Sequence, residues 1–229
     1  MSAPRLFDEG HAARYDDQFR ELTPLRDALH LVTQLALTRL PAEARVLSVG
    51  AGTGAELLAL APAFPGWRFT AVDTSAPMLA RCRERVEAAG FGDRCSFHHG
   101  PLQSLPEAGA EPFDGATMIL VSQFLVDRER RRQLFADIAS RLRPGAPLVV
   151  ADLCADALDG ELADLWKQAW RLSGASEAQL EQMTQMFGAR LSVLPPRELE
   201  DLIASANFDA PTRCFQTLFI HGWVARRRR

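Results

Sequence analysis

The chain has 229 residues, 47% of them hydrophobic, which is enough apolar material for the core of one α/β domain. Its 26 basic and 29 acidic residues leave a net charge of -3, so a nucleic-acid partner is not expected. The four cysteines are scattered and no histidine stands at ligand spacing, so we expect neither a metal site nor a disulfide framework. Without an apolar leader or membrane span, a cytoplasmic location is predicted.

Strand and helix patterns alternate along most of the chain. A helical segment is predicted over 8–40 as a cover at the N-terminal side of the sheet. Strands are predicted at 45–49, 68–72, 95–98, 114–121 and 147–152, with helices at 54–63, 76–89 and 128–142 between them. This alternation is typical of a parallel sheet with helices on both faces.

The pattern changes after the fifth strand. Residues 153–194 carry two amphipathic helices, and a further helix is predicted over 197–206. Two β-rich runs, Thr212–Thr217 and Phe219–Ala225, then predict an antiparallel hairpin, which is unusual for nicotinamide-binding folds. The closing run Arg226–Arg229 is interpreted as a solvated, mobile tail, and contact with RNA is the less favoured alternative.

A glycine-rich turn follows the first strand, in the run 46–56. Glycines let the backbone approach a ligand closely, and Asp73 ends the second strand at the spacing expected of a ribose-binding acid. The sequence therefore predicts a cofactor that contains a nucleoside. The spacing of Gly50, Gly52 and Ala55 fits nicotinamide cofactors as well as S-adenosylmethionine, so the turn alone leaves both open.

Several segments together resemble the class I S-adenosylmethionine-dependent methyltransferases over essentially the whole chain. They are Val46–Glu56, Ala71–Ser75 with Met78, Phe113–Ala116 and Leu142–Val150. Within this class the chain is similar to the branch of carboxy-S-adenosylmethionine synthase, through Asp73–Met78 with Arg81–Arg83, Ser122–Leu125 and Cys214–Gln216. The resemblance implies a Rossmann-like α/β fold in a single domain, 1–229. The implied sheet has seven mostly parallel strands and a terminal antiparallel hairpin, and the cofactor is S-adenosylmethionine, with S-adenosylhomocysteine as product.

The resemblance also implies a set of cofactor-binding residues. They are Tyr15, Gly50, Ala51, Gly52, Thr53, Gly54, Asp73, Thr74, Met78, Gly100, Pro101, Leu102, Val121 and Gln123. Two positions depart from the family. Pro101 replaces an acid that accepts from the adenine amino group, so Gln103 or a backbone carbonyl would substitute for it. Thr184 stands where the synthase has an arginine for its extra carboxylate, which argues against a carboxylated cofactor.

Residues for catalysis and for the methyl acceptor are less sharply indicated. His98 and His99 are candidates for a general base, although a histidine packed at a strand end is the more ordinary interpretation. Phe124, Trp166 and Trp170 are candidates for an aromatic wall around a flat acceptor, or for ordinary core. The insertion 153–194 would then be an acceptor lid or the surface of a homodimer.

The predicted function is methyl transfer to oxygen or nitrogen of a small molecule. The alternatives are an enzyme like carboxy-S-adenosylmethionine synthase or a tRNA-modification enzyme, an NAD-dependent oxidoreductase, and a non-catalytic cofactor-binding or RNA-associated protein.

Overall fold

The computed structural model describes residues 21–106 and 111–229. Its strands are β1 (Arg45–Val49), β2 (Arg68–Asp73), β3 (Cys95–His99), β4 (Gly115–Ile119), β5 (Pro147–Leu153), β6 (Thr212–Thr217) and β7 (Ile220–Arg226). They form one seven-stranded sheet in the order β3-β2-β1-β4-β5-β7-β6. Strands β1 to β5 pair in parallel, whereas β7 pairs antiparallel with both β5 and β6. The predicted sheet with its terminal hairpin is confirmed.

The described helices are α1 (Thr23–Leu37), α2 (Ala55–Ala63), α3 (Ala76–Ala88), α4 (Arg128–Arg141), α5 (Gly160–Leu172), α6 (Glu177–Met186) and α7 (Pro196–Ser205). Their starts follow local signals. The Ser75 hydroxyl accepts from the backbone N–H of Met78 at the start of α3, and Asp127 caps α4 through Arg130. Ser176 and Gln179 form a reciprocal capping box on α6.

The fourth strand is shorter than the sequence predicts. The prediction runs over 114–121, but β4 ends at Ile119 because Leu120 has a φ of 59°, which no strand residue adopts. Its N–H still donates to the carbonyl of Ala151 at 2.6 Å, and a single 3₁₀ turn follows over Ser122–Phe124. The chain therefore leaves the sheet two residues early and crosses the carboxyl ends of the strands.

Helices cover both faces of the sheet. Phe135 and Ile138 of α4 share one apolar core with Leu199 of α7, while the opposite core includes Leu37 of α1 and Leu57 of α2. Helix α1 lies within the predicted helical cover and packs on the sheet and on α2. The rest of that cover before residue 21, including Tyr15, falls outside the described residues.

The insertion 153–194 contains the two predicted helices, α5 and α6. The two ends of the insertion are joined by an isolated parallel bridge between Cys154, before α5, and Leu194, after α6. They pack against Leu153 of β5 and against Phe219, in the turn of the terminal hairpin. The insertion therefore covers the end of the sheet at which β5 stops.

The arginine run 226–229 is not the free tail that the sequence suggested. Arg226 belongs to β7, and Arg227 donates through its backbone N–H to the carbonyl of Ala146 and through its guanidinium to that of Leu142. The N–H of Arg228 donates to Asn207 at 3.0 Å. These bonds extend the antiparallel pairing past the strand and hold most of the run against the body of the protein.

Three further properties bear on function. In the part of the chain that is described, no helix is long and apolar enough to cross a bilayer. Within the same ranges, no group of three or more His, Cys, Asp and Glu side chains could hold a metal ion. All four cysteines are free thiols, and burial raises the pKa of Cys82 to about 12, so this thiol stays protonated at neutral pH.

Candidate cofactor and acceptor site

The glycine turn lies where β1 ends, at the point where the strand order reverses between β1 and β4. Open α/β sheets bind their ligands at this switch point. Gly50, Gly52 and Gly54 have φ values of 70°, 54° and 80°, a region that side chains rarely enter. A methyl group at Gly54 would lie 2.6 Å from Sγ of Cys82, whereas one at Gly52 would make only ordinary contacts, with Met78 Cε at 3.6 Å and the Gly50 carbonyl oxygen at 4.0 Å. The turn therefore leaves a backbone cradle beside Gly52 that a side chain would fill.

Asp73 at the end of β2 is held by backbone donors of two loops. Its Oδ2 accepts from the N–H of Gly52 and its Oδ1 from that of Ser75, both at 2.8 Å. Burial raises the pKa of Asp73, and these hydrogen bonds together with nearby His99 act in the opposite direction. Each carboxylate oxygen has further accepting capacity, so Asp73 can accept from the two hydroxyls of a ribose while it fixes the turn.

Glu56 supports the turn from below, and sequence reasoning missed it. Its Oε1 accepts from the hydroxyl of Ser48 on β1 at 2.6 Å and from that of Thr117 on β4 at 2.5 Å. The side chain is fully enclosed, and this burial raises its pKa, although the two hydroxyl bonds oppose the shift. An acid one residue into an otherwise apolar helix was the available signal. Glu56 thus ties the start of α2 to both strands of the switch point.

The residues expected near adenine surround the other side of the cradle. Met78 and Leu102 are buried, Thr74 and Pro101 are exposed, and the N–H of Gly100 donates to the carbonyl of Asp73 at 2.9 Å. The amide nitrogen of Gln103, the residue expected to replace the missing acid, donates to Asp137 on α4. Its amide oxygen is the atom that would accept from the adenine amino group, so Gln103 and a backbone carbonyl both stay candidates. The contacts of these residues with the cofactor stay predictions.

His98 and His99 lie on β3, at the edge of the sheet. Nε2 of His98 is 2.8 Å from the Ser104 hydroxyl, and His99 is aligned with Asp73 of β2. Because β3 is three positions from β4 in the sheet, the backbone of these histidines is roughly 14 Å from the strand that leads to the predicted acceptor wall. The structure does not bring the histidines and the acceptor wall together in one site.

The segment 120–124 joins the cradle to the insertion. Val121 packs on the turn: a methyl group at Gly50 would lie 2.8 Å from its Cγ1 and closer still to its Cγ2. Leu120 and Phe124, on either side, pack instead against the apolar cluster of the insertion. One short segment therefore contacts both the glycine turn and the candidate acceptor wall.

Gln123 is fixed by the strand beside it. Its Oε1 accepts from the N–H of Leu153 at 2.9 Å, and its own N–H donates to Asp152 at 3.1 Å. Its carbonyl accepts from Ser192, which follows the insertion, at 2.7 Å. Gln123 is buried, so these contacts give it a role in holding the segment in place, and direct cofactor contact by its side chain stays a prediction.

A fully buried ion pair anchors the same segment. Arg131 of α4 lies 3.1 Å from Asp152 of β5, and both side chains have no solvent exposure. The guanidinium also donates to the Ser122 hydroxyl and to the carbonyl of Ser192, both at 2.8 Å, and the Ser122 hydroxyl donates to Asp152. Every bond of this cluster joins a different pair of elements, so it sets the position of the insertion relative to the sheet.

The aromatic residues predicted for the acceptor do come together. Phe124, Trp166 and Trp170 belong to one apolar cluster under α5 and α6. The Trp166 ring lies 6.0 Å from that of Trp170 and 5.6 Å from that of Phe219. Phe219 was not predicted, because its place in the cluster depends on the hairpin turn folding back onto the insertion.

Comparisons with known proteins agree with this site. Residues 46–145 match the family model described as a methyltransferase domain. An O-methyltransferase of Aspergillus sclerotiorum is 32% identical over 149 residues, covering 64% of this chain and 54% of that protein. A carboxy-S-adenosyl-L-methionine synthase of Erwinia tasmaniensis is 26% identical over 190 residues, covering 79% of this chain and 74% of its own. The chain thus spans about half the length of the fungal relative.

A solved structure of human N-acetylserotonin methyltransferase in complex with S-adenosylmethionine superimposes with a TM-score of 0.66 at 16% identity, covering 97% of this chain and 57% of that one. Together with the sheet order and the glycine turn, these matches show that residues 46–145 are similar to a methyltransferase domain and that the chain has the fold of class I S-adenosylmethionine-dependent methyltransferases. The predicted cofactor, S-adenosylmethionine, is the one bound in that human structure. The matches favour this class over an NAD-dependent oxidoreductase.

Proposed function

We propose that this protein transfers the methyl group of S-adenosylmethionine to an oxygen or nitrogen of a small, largely apolar acceptor bound under the insertion. The observation that carries this proposal is the segment 120–124. Val121 contacts the glycine turn, while Leu120 and Phe124 line the aromatic cluster. An acceptor in the cluster is therefore placed next to the cofactor cradle.

The chain's own contribution is positioning and exclusion of water. Bound S-adenosylmethionine supplies an electrophilic methyl group, for which in-line approach matters more than acid or base assistance. Asp73 and the glycine turn hold the nucleoside end, and the helices α5 and α6 cover the acceptor with apolar side chains that exclude water. The described members of the aromatic cluster carry no carboxylate, imidazole or amine, so transfer favours an acceptor that is already nucleophilic at neutral pH.

Calorimetry with S-adenosylhomocysteine tests the cofactor half of the proposal, and transfer of a labelled methyl group to a panel of phenols and amines tests the acceptor half. We expect binding at micromolar strength or better and a raised melting temperature, because a ligand bound only by the folded state stabilises it. Binding without transfer to any small acceptor would contradict the proposed function but leave the cofactor assignment intact.

A homodimer is proposed through the outer face of α5. The leucines of this surface stand four, three and seven residues apart and are 36% to 78% exposed: Leu158, two residues before the helix, and Leu162, Leu165 and Leu172 within it. The residues flanking this stripe are acidic before Leu165 and basic after it, so an antiparallel pair with a second copy would match opposite charges. Leu165→Glu should lower the sedimentation mass to that of a monomer, whereas Leu35→Glu on α1 should not, although Leu35 is also an exposed leucine on a helix. An unchanged mass in both variants would exclude this face of α5 as the dimer interface.

An activity like that of carboxy-S-adenosylmethionine synthase is the second candidate, and the Erwinia relative favours it. Helix α6, where the family arginine is expected, contains no basic residue, and the Thr184 hydroxyl donates to the carbonyl of Leu180 within the helix. No described cation in α6 would neutralise an extra carboxylate. We therefore expect S-adenosylmethionine to bind at least as tightly as its carboxylated analogue, and a clear calorimetric preference for the analogue would favour the second candidate.

The free thiols support a cytoplasmic location as part of this proposal, since reducing conditions keep cysteines unpaired. Fractionation of cells that produce the protein tests the location directly.

A further inference from the structure

The indole N–H groups of the protein differ in their hydrogen bonding. Nε1 of Trp67 donates to the carbonyl of Pro41 at 3.0 Å, and Nε1 of Trp223 donates to Glu200 at 2.8 Å. Nε1 of Trp166 is also buried but has no hydrogen-bond partner in the described part of the chain. Only 6% of this residue is exposed.

An unpaired buried donor is uncommon and costly. More than nine in ten buried polar groups in proteins have a partner, and leaving one unpaired costs about 1–3 kcal/mol. The indole N–H groups of Trp67 and Trp223 have hydrogen-bond partners. That of Trp166, on the helix that covers the candidate acceptor site, has none among the described residues. The Trp166 N–H is therefore available to an acceptor atom that residues 21–106 and 111–229 do not supply.

The surroundings of Trp166 restrict the chemistry of that atom. The apolar cluster to which Trp166 belongs consists of aliphatic and aromatic side chains, among them Phe124, Met183, Met186, Phe187, Leu191 and Phe219. A carboxylate would be buried here without a described cation, and a hydroxyl would bring a donor for which these side chains offer at most a weak thioether acceptor. A neutral carbonyl oxygen accepts the N–H without adding any unsatisfied group.

We propose that Trp166 is a specificity-determining residue whose Nε1–H donates to a carbonyl oxygen of the methyl acceptor, so that the substrate class is a hydroxylated aromatic ketone or a close relative. The aromatic rings around Trp166 suit a flat ring, and the hydroxyl to be methylated would lie toward Leu120 and the glycine turn. The conjugated carbonyl acidifies this hydroxyl, so it loses its proton to water, and the resulting oxyanion forms the new O–CH3 bond as the S–CH3 bond breaks and neutral S-adenosylhomocysteine leaves. This inference rests on the proposed function and deepens it.

The test uses the full chain loaded with S-adenosylhomocysteine and two matched probes, 4-hydroxyacetophenone and 4-ethylphenol. They share the phenol and differ in the carbonyl. In a protein labelled with ¹⁵N in its four tryptophans, the indole signal lost in Trp166→Phe identifies Trp166. We expect the ketone to move this proton signal downfield and the ethyl compound to leave it in place. Trp166→Phe should weaken the binding of the ketone by about two- to tenfold and should hardly change the binding of the ethyl compound.

Trp170→Phe is the control, because it replaces a neighbouring indole of the same cluster by a smaller ring and should weaken the binding of both probes alike. If neither probe moves the Trp166 signal, or if both move it equally, the inference is overturned. It is also overturned if the Trp166 N–H shows a bound-water contact that persists with the ketone present. Loss of S-adenosylhomocysteine binding in the wild-type protein would instead overturn the proposed function.

Discussion

Val121 packs directly against Gly50, with its Cγ1 only 2.8 Å from the place where a side chain at that glycine would begin. The contact joins the cofactor turn after β1 to the segment after β4. That segment is in turn fixed by the ion pair between Arg131 and Asp152. A change in the conformation of the cofactor turn should therefore alter the position of the segment 120–124, which leads to the acceptor cluster.

Gly50→Ala should destabilise the protein for two separable reasons. A φ of 70° costs an alanine about 1 kcal/mol, and the new methyl group would also collide with Val121. Gly145→Ala is the matched control, because Gly145 has a φ of 80° with no atom within 4 Å of the added methyl. Denaturant unfolding should show a larger loss at Gly50, partly recovered when Val121→Ala is added. Equal losses at the two glycines would mean that the contact is unimportant.

Asp73→Asn should weaken the binding of S-adenosylhomocysteine by about 10- to 100-fold, since hydrogen bonds to a charged group contribute about 1.5–3 kcal/mol. The amide can also accept from only one of the two loops that the carboxylate now holds. Titration calorimetry measures the change. Asp93→Asn, at an exposed position between α3 and β3, should bind normally, and retained affinity in Asp73→Asn would remove this residue from the ribose site.

Glu56 predicts a specific dependence of stability on pH. Burial raises its folded-state pKa above the ordinary value of 4.5, so the folded state binds more protons than the unfolded state between the two pKa values. Its contribution to the free energy of unfolding is fully present below the unfolded pKa and is lost as the pH rises through the folded pKa. Glu56→Gln abolishes this titration.

The stability of Glu56→Gln relative to wild type should therefore increase as the pH is raised from 4 to neutrality. Denaturant unfolding over that range measures the difference, in which the other titrating groups largely cancel. Parallel stability curves for the two proteins would show that Glu56 titrates normally.

Breaking the buried ion pair should have a large effect. Arg131→Met leaves the Asp152 carboxylate buried without its cation, which costs about 3–5 kcal/mol. Arg132→Met removes a partner of Glu129 on the exposed side of the same helix and should leave the denaturant midpoint of unfolding nearly unchanged, because water screens an exposed ion pair. Similar losses in the two variants would contradict the anchoring role of Arg131.

Local signals were enough to predict most of the fold. The β1 prediction matches the strand residue for residue, and the helices predicted from 76 and from 128 begin at those residues, because turn signals and apolar periodicity are properties of neighbouring residues. The early end of β4 was missed since Leu120 has no residue-type signal for a left-handed conformation. Its φ is imposed by the contacts on either side of it.

The site was predictable only where one motif contains it. The glycine turn and Asp73 were found from their spacing, whereas Arg131 stands in a run of charged residues that looks like a solvated helix face. Its burial depends on β5 and on the return of the chain after α6. The separation of His98 from the aromatic cluster likewise follows from strand order, which spacing along the sequence does not reveal.

The role of the insertion is tested by Phe124→Ala and Trp170→Ala. Both side chains belong to the cluster under α5 and α6, and neither packs on the glycine turn in the described contacts. Each substitution should therefore lower methyl transfer at least tenfold, through lost acceptor surface and admitted water, with S-adenosylhomocysteine affinity changed by less than about threefold. Gln168→Ala, at an exposed position of α5 outside the leucine stripe, controls for changes in helix stability. Unchanged methyl transfer in both variants would mean that Phe124 and Trp170 are ordinary core residues. Loss of cofactor binding would mean that the cluster belongs to the cofactor site itself.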